Sequence, residues 1–308
     1  MPEDLSVVVP VFNGASTLEA LADRLGAVLD PIGAYEIVFV NDGSRDESWN
    51  VITRLAEERP RIRGIDLMRN YGQHNALLAG VRSARNTVVV TLDDDLQNPP
   101  EEIPKLLGKL DEGFDVVYGA SSGREHGLLR NLATRLTKLA LRAAIGKEIA
   151  ADVGPFRAFR TQLRDAFDEF QGPYVSIDVL LSWGTSRFAS VPVRHEARSA
   201  GESSYGWGRL ATHALNVLTG FSTRPLRIAS LLGLAFTVFG GVVLVLVIVR
   251  YFVSGRVVPG FPFLASLIAI FSGAQLLTLG IIGEYLARMH VRVLDQPPYA
   301  IRRESAGS

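Results

Sequence analysis

The run Thr87-Val88-Val89-Val90-Thr91-Leu92, followed at once by Asp93-Asp94-Asp95-Leu96-Gln97-Asn98-Pro99-Pro100, decides the fold of this chain. An uncharged, β-branched stretch of this length is what a strand covered on both faces requires. The three adjacent carboxylates after it repel one another and are tolerable only in solvent or around a cation. Alone they would read as a solvated acidic turn. Here they end a fully apolar strand, and a second Asp-containing loop ends another, so a binding edge is the better reading.

On either side the same alternation recurs. Leu5–Pro10 (LSVVVP) and Tyr35–Val40 (YEIVFV) are buried strands, and Ile62–Leu67 and Asp115–Tyr118 are shorter ones. Between them Ser16–Leu29 has helical spacing, with Leu18, Leu21, Leu25 and Leu29 on one face and Ser16 or Thr17 as cap. Ser44–Arg59, Asn75–Ala84 and Pro100–Glu112 are further predicted helices. This order predicts an α/β domain with a mostly parallel sheet and helices on both faces. Ligands of such sheets bind at the carboxyl ends of the strands. The polar motifs lie there: Val9-Pro10-Val11-Phe12-Asn13-Gly14, Asn41-Asp42-Gly43-Ser44 and the acidic run.

Composition narrows the classes. The 308 residues hold 32 Lys+Arg, 32 Asp+Glu and no cysteine. Disulfides, a thiolate nucleophile and Cys-based metal sites are therefore excluded. The balanced charge argues against a nucleic-acid partner, and apolar residues spread along the whole chain exclude disorder. Residues 225–308 carry seven Arg against three acids, so the compensating negative excess lies in 1–224.

The chain divides near residue 225. Arg227 and Arg250 enclose 22 uncharged residues, and Arg256 and Glu284 enclose 27. Crossing a bilayer takes about 20 helical residues. Two spanning helices are predicted, about 228–250 and 263–285, joined by a short loop near 252–262. Arg224, Arg227, Arg288, Arg292, Arg302 and Arg303 flank the hairpin outside its loop, so positive charge places domain 1–224 and tail 288–308 in the cytoplasm. Met1-Pro2-Glu3-Asp4 is acidic and predicts no signal peptide. The expected location is the inner membrane, multi-pass, with the lipid bilayer as a partner. Gly233, Gly240, Gly273 and Gly280 leave room for close helix contact and a homo-oligomer.

Taken together, VPVFN, VNDGS, RNYGQHNALLAG and LDDDLQNPPEEIP resemble the family 2 glycosyltransferases of GT-A fold. LDDDLQNPPE resembles their D-x-D metal motif in the form typical of polyprenyl-phosphate sugar transferases. The resemblance continues through GPFRAFR, VPVRHEARSAGESSY, PLR and GAQLLTLGIIGEY. It is nearest to the bacterial enzymes that load a sugar onto undecaprenyl phosphate, such as glucosyl and aminoarabinose transferases, and extends to dolichol-phosphate mannose synthase. It implies inverting transfer from a nucleotide sugar, with UDP favoured, to a polyprenyl phosphate, with Mg2+ or Mn2+ as cofactor.

The resemblance also implies residue roles. Pro10 and Asn13 line the nucleotide pocket and Asp42 contacts the base. Asp93 and Asp95 serve nucleotide and metal, with Gln97 as a further ligand, whereas Asp94 has no ligand role. Arg69 is a candidate phosphate contact, set against a well-capped loop. Arg124, Arg130 and Arg135 lie in the basic amphipathic segment 124–147, which suits anionic headgroups, and Arg130 is the first choice for the acceptor phosphate. A second membrane-surface segment is expected near 205–222. In ADVGPFRAFR, Pro155 replaces an acid usual in the family, which leaves Asp152 as the nearer carboxylate. Ser204 stands where a Lys is common, and Arg198 or Arg209 could supply the missing charge. Asp178 is a candidate sugar contact or a helix N-terminal carboxylate. Gly206–Ala211 matches G-x-G-x-x-A but follows no strand and carries no dinucleotide site. A processive polysaccharide synthase is an alternative, without the Q-x-x-R-W run such enzymes usually carry; a non-catalytic membrane-anchored sugar-binding scaffold is another.

Overall fold

The structure, a computed structural model, describes residues 4–121, 152–172, 175–196, 224–254, 260–294 and 296–305. Its strands are β1 (Leu5–Val11), β2 (Tyr35–Asn41), β3 (Ile62–Leu67), β4 (Val88–Thr91), β5 (Val116–Ser121), β6 (Arg157–Arg160), β7 (Phe188–Val193) and β8 (Ile301–Ser305). They form one sheet in the order β7-β5-β6-β4-β1-β2-β3-β8. β4, β1, β2 and β3 are parallel neighbours. β6 runs antiparallel between β4 and β5, β7 is parallel to β5, and β8 closes the far edge antiparallel to β3.

Both faces are covered. Helices α1 (Leu18–Leu29), α2 (Ser48–Glu58) and α4 (Ile103–Asp111) bury Leu21, Leu25, Ile52, Leu55 and Leu106 against Val7, Val9 and Phe39. Helices α3 (Gln73–Ser83) and α5 (Ile177–Gly184) bury Leu77, Leu78, Leu180 and Leu181 against Val8, Val38 and Val40. β1 is buried along its whole length, which is why it lacks polar alternation. Each such Val or Leu contributes about 1.5–3 kcal/mol of burial. A Cβ on Gly80 would come within 2.3 Å of Val8 Cγ1, so α3 can approach β1 only with glycine there.

Element boundaries differ from the sequence pattern in informative places. The helix expected from Ser44 begins at Ser48, because the Asp46 carboxylate accepts the Ser48 amide at 3.1 Å and holds 44–47 as a turn. The helix expected over Pro100–Glu112 opens as a 3-10 turn at Pro100–Glu102 before α4.

Two long helices follow, α6 (Arg224–Ser254) and α7 (Phe261–Val293). Among the described residues one span is long and apolar enough to cross a membrane: Ala229–Arg250, 22 residues with mean hydropathy 2.8. Its Leu231, Leu234 and Leu246 face outward instead of packing in a core. The two-span hairpin expected from sequence is thus matched in one of its two helices. α6 and α7 touch through Phe236 and Phe271, edge to face at 5.7 Å. A cavity of about 350 Å³ between them is lined by Thr237, Gln275 and Thr278 among apolar side chains. After α7 the chain returns to the sheet as β8, a strand that nothing in its exposed, charged sequence IRRES announces.

Candidate active site

Four parallel strands bring four loops to one edge: Phe12–Ala15 after β1, Asp42–Glu47 after β2, Met68–Gly72 after β3 and Leu92–Pro99 after β4. Side-chain bonds to backbone lace the loops together. The Asn13 amide donates to the Ser44 hydroxyl at 2.9 Å, and the Arg45 amide donates back to Asn13 Oδ1 at 2.9 Å. Gly14 N–H donates to Ser48 Oγ at 3.0 Å, and Ala15 N–H to Asp46 at 3.1 Å. Burial works to raise the Asp46 pKa, but the Ser48 hydroxyl and the backbone amides of Ala15, Ser48 and Asp46 itself outweigh it and hold the group below its usual value. Asn13 has φ 55, a left-handed conformation that Asn tolerates better than most residues.

Pro10 and Asp42 have structural reasons for their positions. Val8 O accepts the last amide that β4 offers β1, from Leu92 at 3.4 Å. Pro10 lies two residues on, where no further partner strand needs its missing N–H. Asp42 is 2% exposed; one carboxylate oxygen accepts the Tyr71 amide at 2.7 Å and the other the Gly72 amide at 2.8 Å. Burial raises its pKa despite these two bonds. Gly43, at φ +64, lies so close to the Arg69–Asn70 peptide that a Cβ would meet backbone at 2.5 Å.

In the acidic loop, Asp93, Asp94, Asp95 and Gln97 are all half-buried. Gln73 Nε2, at the start of α3, donates to Asp93. Asp95 Oδ1 accepts the Gln97 amide at 3.1 Å. Between them Leu96 takes φ 60 and is 7% exposed. A left-handed leucine costs about 1–2 kcal/mol, the sort of strain that concentrates at working sites. Asp94 turns toward the β1 loop, where a Cβ on Gly14 would come 2.1 Å from its Oδ2. Among the described residues no three His, Cys, Asp or Glu side chains form a closed metal cage. The donors present are oxygens, which suits Mg2+ or Mn2+. Such ions commonly take one or two protein carboxylates and complete their shell with phosphate and water, so the residues fit.

A model of the family described as glycosyl transferase family 2 matches residues 6–167, which include all four loops. The chain belongs to glycosyl transferase family 2. This glycosyltransferase is 38% identical over 303 residues to the undecaprenyl-phosphate 4-deoxy-4-formamido-L-arabinose transferase of Shewanella sediminis, covering 97% of this chain and 91% of that one. It is 37% identical to the enzyme of the same name from Enterobacter sp., covering 97% and 93%. Among solved structures it resembles mannosyl-3-phosphoglycerate synthase from Rubrobacter xylanophilus, with TM-score 0.54 and 20% identity over 73% of this chain and 74% of that one. That likeness agrees with a GT-A-like fold.

Elsewhere on the glycosyltransferase, Arg69 is exposed and stacks over the Tyr71 ring at 4.7 Å. Asp152, on the irregular segment leading into β6, accepts on its Oδ2 the hydroxyl of Ser190 on β7 at 2.7 Å. The carbonyl of Pro155 accepts Thr91 Oγ1 at 2.8 Å, which ties this segment to the end of β4. Asp178, in the first turn of α5, is buried against Arg157 and accepts the Tyr118 hydroxyl at 3.0 Å. It holds the helix N-terminal position that the sequence offered as one of two readings, but as half of a core ion pair that the sequence did not announce. His74 Nδ1 accepts the Ile177 amide at 3.4 Å. Arg124, Arg130, Arg135 and Arg198 lie outside the described residues, as does the segment 205–222. Sequence reasoning missed Gln73, Asp46 and Ser48. The N-D-G-S turn chemistry signalled the loop, but nothing local marked Gln73 as the partner of Asp93.

Proposed function

We propose that this glycosyltransferase moves a sugar, with inversion, from a nucleotide sugar to undecaprenyl phosphate at the cytoplasmic face of the inner membrane. The observation that carries the reading is the 38% identity to a named undecaprenyl-phosphate sugar transferase across catalytic and helical regions alike. UDP is the favoured nucleotide. Asn13 and Asp42 belong to the nucleotide pocket beside Pro10. Asp93 and Asp95, with Gln97, would hold Mg2+ or Mn2+, which offsets the charge that develops on the leaving diphosphate. A Mn2+-bound solved relative of comparable fold, glucosyl-3-phosphoglycerate synthase from Mycobacterium tuberculosis in complex with UDP, is consistent with such an ion. Arg130, flanked by Arg124 and Arg135, holds the lipid phosphate in line with the anomeric carbon, and Arg198 adds charge where a family lysine is missing. The chain is anchored by a two-helix hairpin, about 228–250 and 263–285, and the helical glycines support a homo-oligomer.

Purified full-length protein, undecaprenyl phosphate and a panel of UDP- and GDP-sugars should yield one glycolipid, read by mass. Release of a sugar polymer, or no product with any donor, would overturn the proposal. Topology has a direct probe because the chain lacks cysteine. On intact cells an impermeant maleimide should label Gly255→Cys and spare Ser308→Cys; the reverse pattern would refute the orientation.

A further inference from the structure

Strand β8 follows helix α7 and pairs with β3, beside the loops of the active edge. Its register sets Asp66 opposite Arg303, and the Met68 amide donates to Ala300 O at 2.9 Å. Arg303 reaches across β3 in two ways. Its Nε lies 3.0 Å from Asp66 Oδ2, and its guanidinium stacks 4.9 Å from the Trp49 ring on α2. Asp66 is 3% exposed, and its other oxygen, Oδ1, accepts Asn41 Nδ2 at 2.7 Å. Asn41, 2% exposed at the end of β2, accepts the Ser44 amide on its Oδ1 at 3.3 Å. Ser44 Oγ in turn accepts the Asn13 amide, and Asn13 Oδ1 accepts the Arg45 amide, each at 2.9 Å.

These contacts form one continuous polar chain: Arg303, Asp66, Asn41, Ser44, Asn13. The Asp66–Asn41 link is buried in the sheet, where a hydrogen bond is strong and a missing partner costly, and Arg303 reaches it from the half-exposed edge. We propose that Arg303 is a positioning residue for donor binding: by fixing Asp66, and through it the Asn41 side chain, β8 holds the 41–46 loop and Asn13 in their binding geometry. The strand that follows the membrane helix would then be a working part of the nucleotide site. The inference rests on the proposed role of this edge in binding the nucleotide. Without Arg303, nothing fixes the second oxygen of Asp66, and its carboxylate can turn away from the Asn41 amide. The Asn41 amide is then free to choose other rotamers, and the turn it caps loosens.

The test uses full-length protein in detergent, as wild type, Arg303→Ala, Arg303→Lys and Arg302→Ala. The Arg302 guanidinium donates to the Met68 carbonyl at 2.7 Å, outside the Asp66–Asn41 chain, and serves as control. Three measurements are made: amide hydrogen exchange without ligand, equilibrium binding of UDP and of GDP with Mn2+, and KM for undecaprenyl phosphate. Arg303→Ala should speed exchange at Ser44 and Arg45 by about tenfold while sparing α1, and weaken nucleotide binding by about as much, the scale of one charge-assisted hydrogen bond. KM for undecaprenyl phosphate should stay within about twofold, a split that general unfolding would not give. Arg303→Lys should recover most of the loss and Arg302→Ala should match wild type. Unchanged exchange at 41–46, or equal loosening throughout the domain, overturns the coupling. Wild-type protein that binds neither nucleotide would overturn the proposed function instead, while the exchange pattern would still decide the coupling.

Discussion

The same three strands carry a polar cluster at each end, and the two clusters are built oppositely. At the amino end, Ser6 on β1, Glu36 on β2 and Arg63 on β3 close on one another. Glu36 accepts Ser6 Oγ at 2.6 Å, Arg63 Nε at 2.7 Å and the Arg85 amide at 2.7 Å. Burial works to raise the Glu36 pKa, but Arg63, Ser6 and the Arg85 amide together outweigh it and hold the group below its usual value. At the carboxyl end, Asp42 is as deeply placed yet meets backbone amides, and burial leaves its pKa raised. One end is neutralised from within and serves the fold. At the other, Asp42 meets backbone amides instead of a cation, and Asp93, Asp94 and Asp95 gather in the loop after β4 at the same sheet edge, a concentration of negative charge that a cationic partner would complement.

The contrast is broken most severely at Asp95. Asp95→Asn should lower turnover by roughly a thousandfold, since it removes charge from the proposed diphosphate site without removing any packing. The melting temperature should not move. Activity near wild type with Mg2+ or Mn2+ would sink the metal assignment. Glu36→Gln should do the converse. It strands a buried guanidinium and should cost about 3 kcal/mol of stability by denaturant titration, while the folded fraction turns over normally. Equal damage to turnover would mean that the two ends are not separate.

Acid sharpens the same comparison with a smaller effect. The folded pKa of Glu36 lies below its unfolded value. Its stabilising contribution is therefore complete above the ordinary Glu range, about 4.3, and is lost as pH falls through the folded value. The stability gap between wild type and Glu36→Gln should be constant from pH 7 to about 5.5 and shrink below about 4.3. A gap that stays constant down to pH 3 would show that Glu36 carries no folded-state charge advantage.

What the sequence revealed tracks how local each signal is. β1, β2 and β4 were legible because strands covered on both faces must be continuous apolar runs. The edge of polar loops followed from their parallel order. β7 contains Pro192, tolerable only because it lies at the sheet's outer edge, and this muted its pattern. β6 is four residues with arginines at both ends, one of them buried by pairing with Asp178 far along the chain. β8 is polar after Ile301, and its reasons for being a strand, Asp66 and Trp49, lie some 240 residues away in sequence. The start of α2 was misplaced for a functional reason. Residues 44–47 have helix-capping chemistry, yet that chemistry grips the Asn13 loop.

The smallest expected effect is at Asp152, and it separates two accounts of the reaction. A phosphate monoester has a second pKa near ~6, so at pH 7 the lipid acceptor is already mostly a dianion. It has little need of a general base, unlike a sugar hydroxyl. What it requires is positive charge that holds it near the anomeric carbon and in line with the diphosphate. Asp152 sits at the same sheet edge, but its Oδ2 is engaged by the Ser190 hydroxyl at 2.7 Å, a bond that orients the carboxylate within the fold. Pro155 uses its carbonyl to anchor Thr91. On the charge-positioning account Asp152→Asn should slow transfer by less than about tenfold, because Asn can still accept from Ser190. Arg130→Ala should instead raise KM for undecaprenyl phosphate far more than that for the nucleotide sugar. If Asp152→Asn is as inactive as Asp95→Asn while still binding both substrates, a base is required, and the acceptor's own charge is not enough.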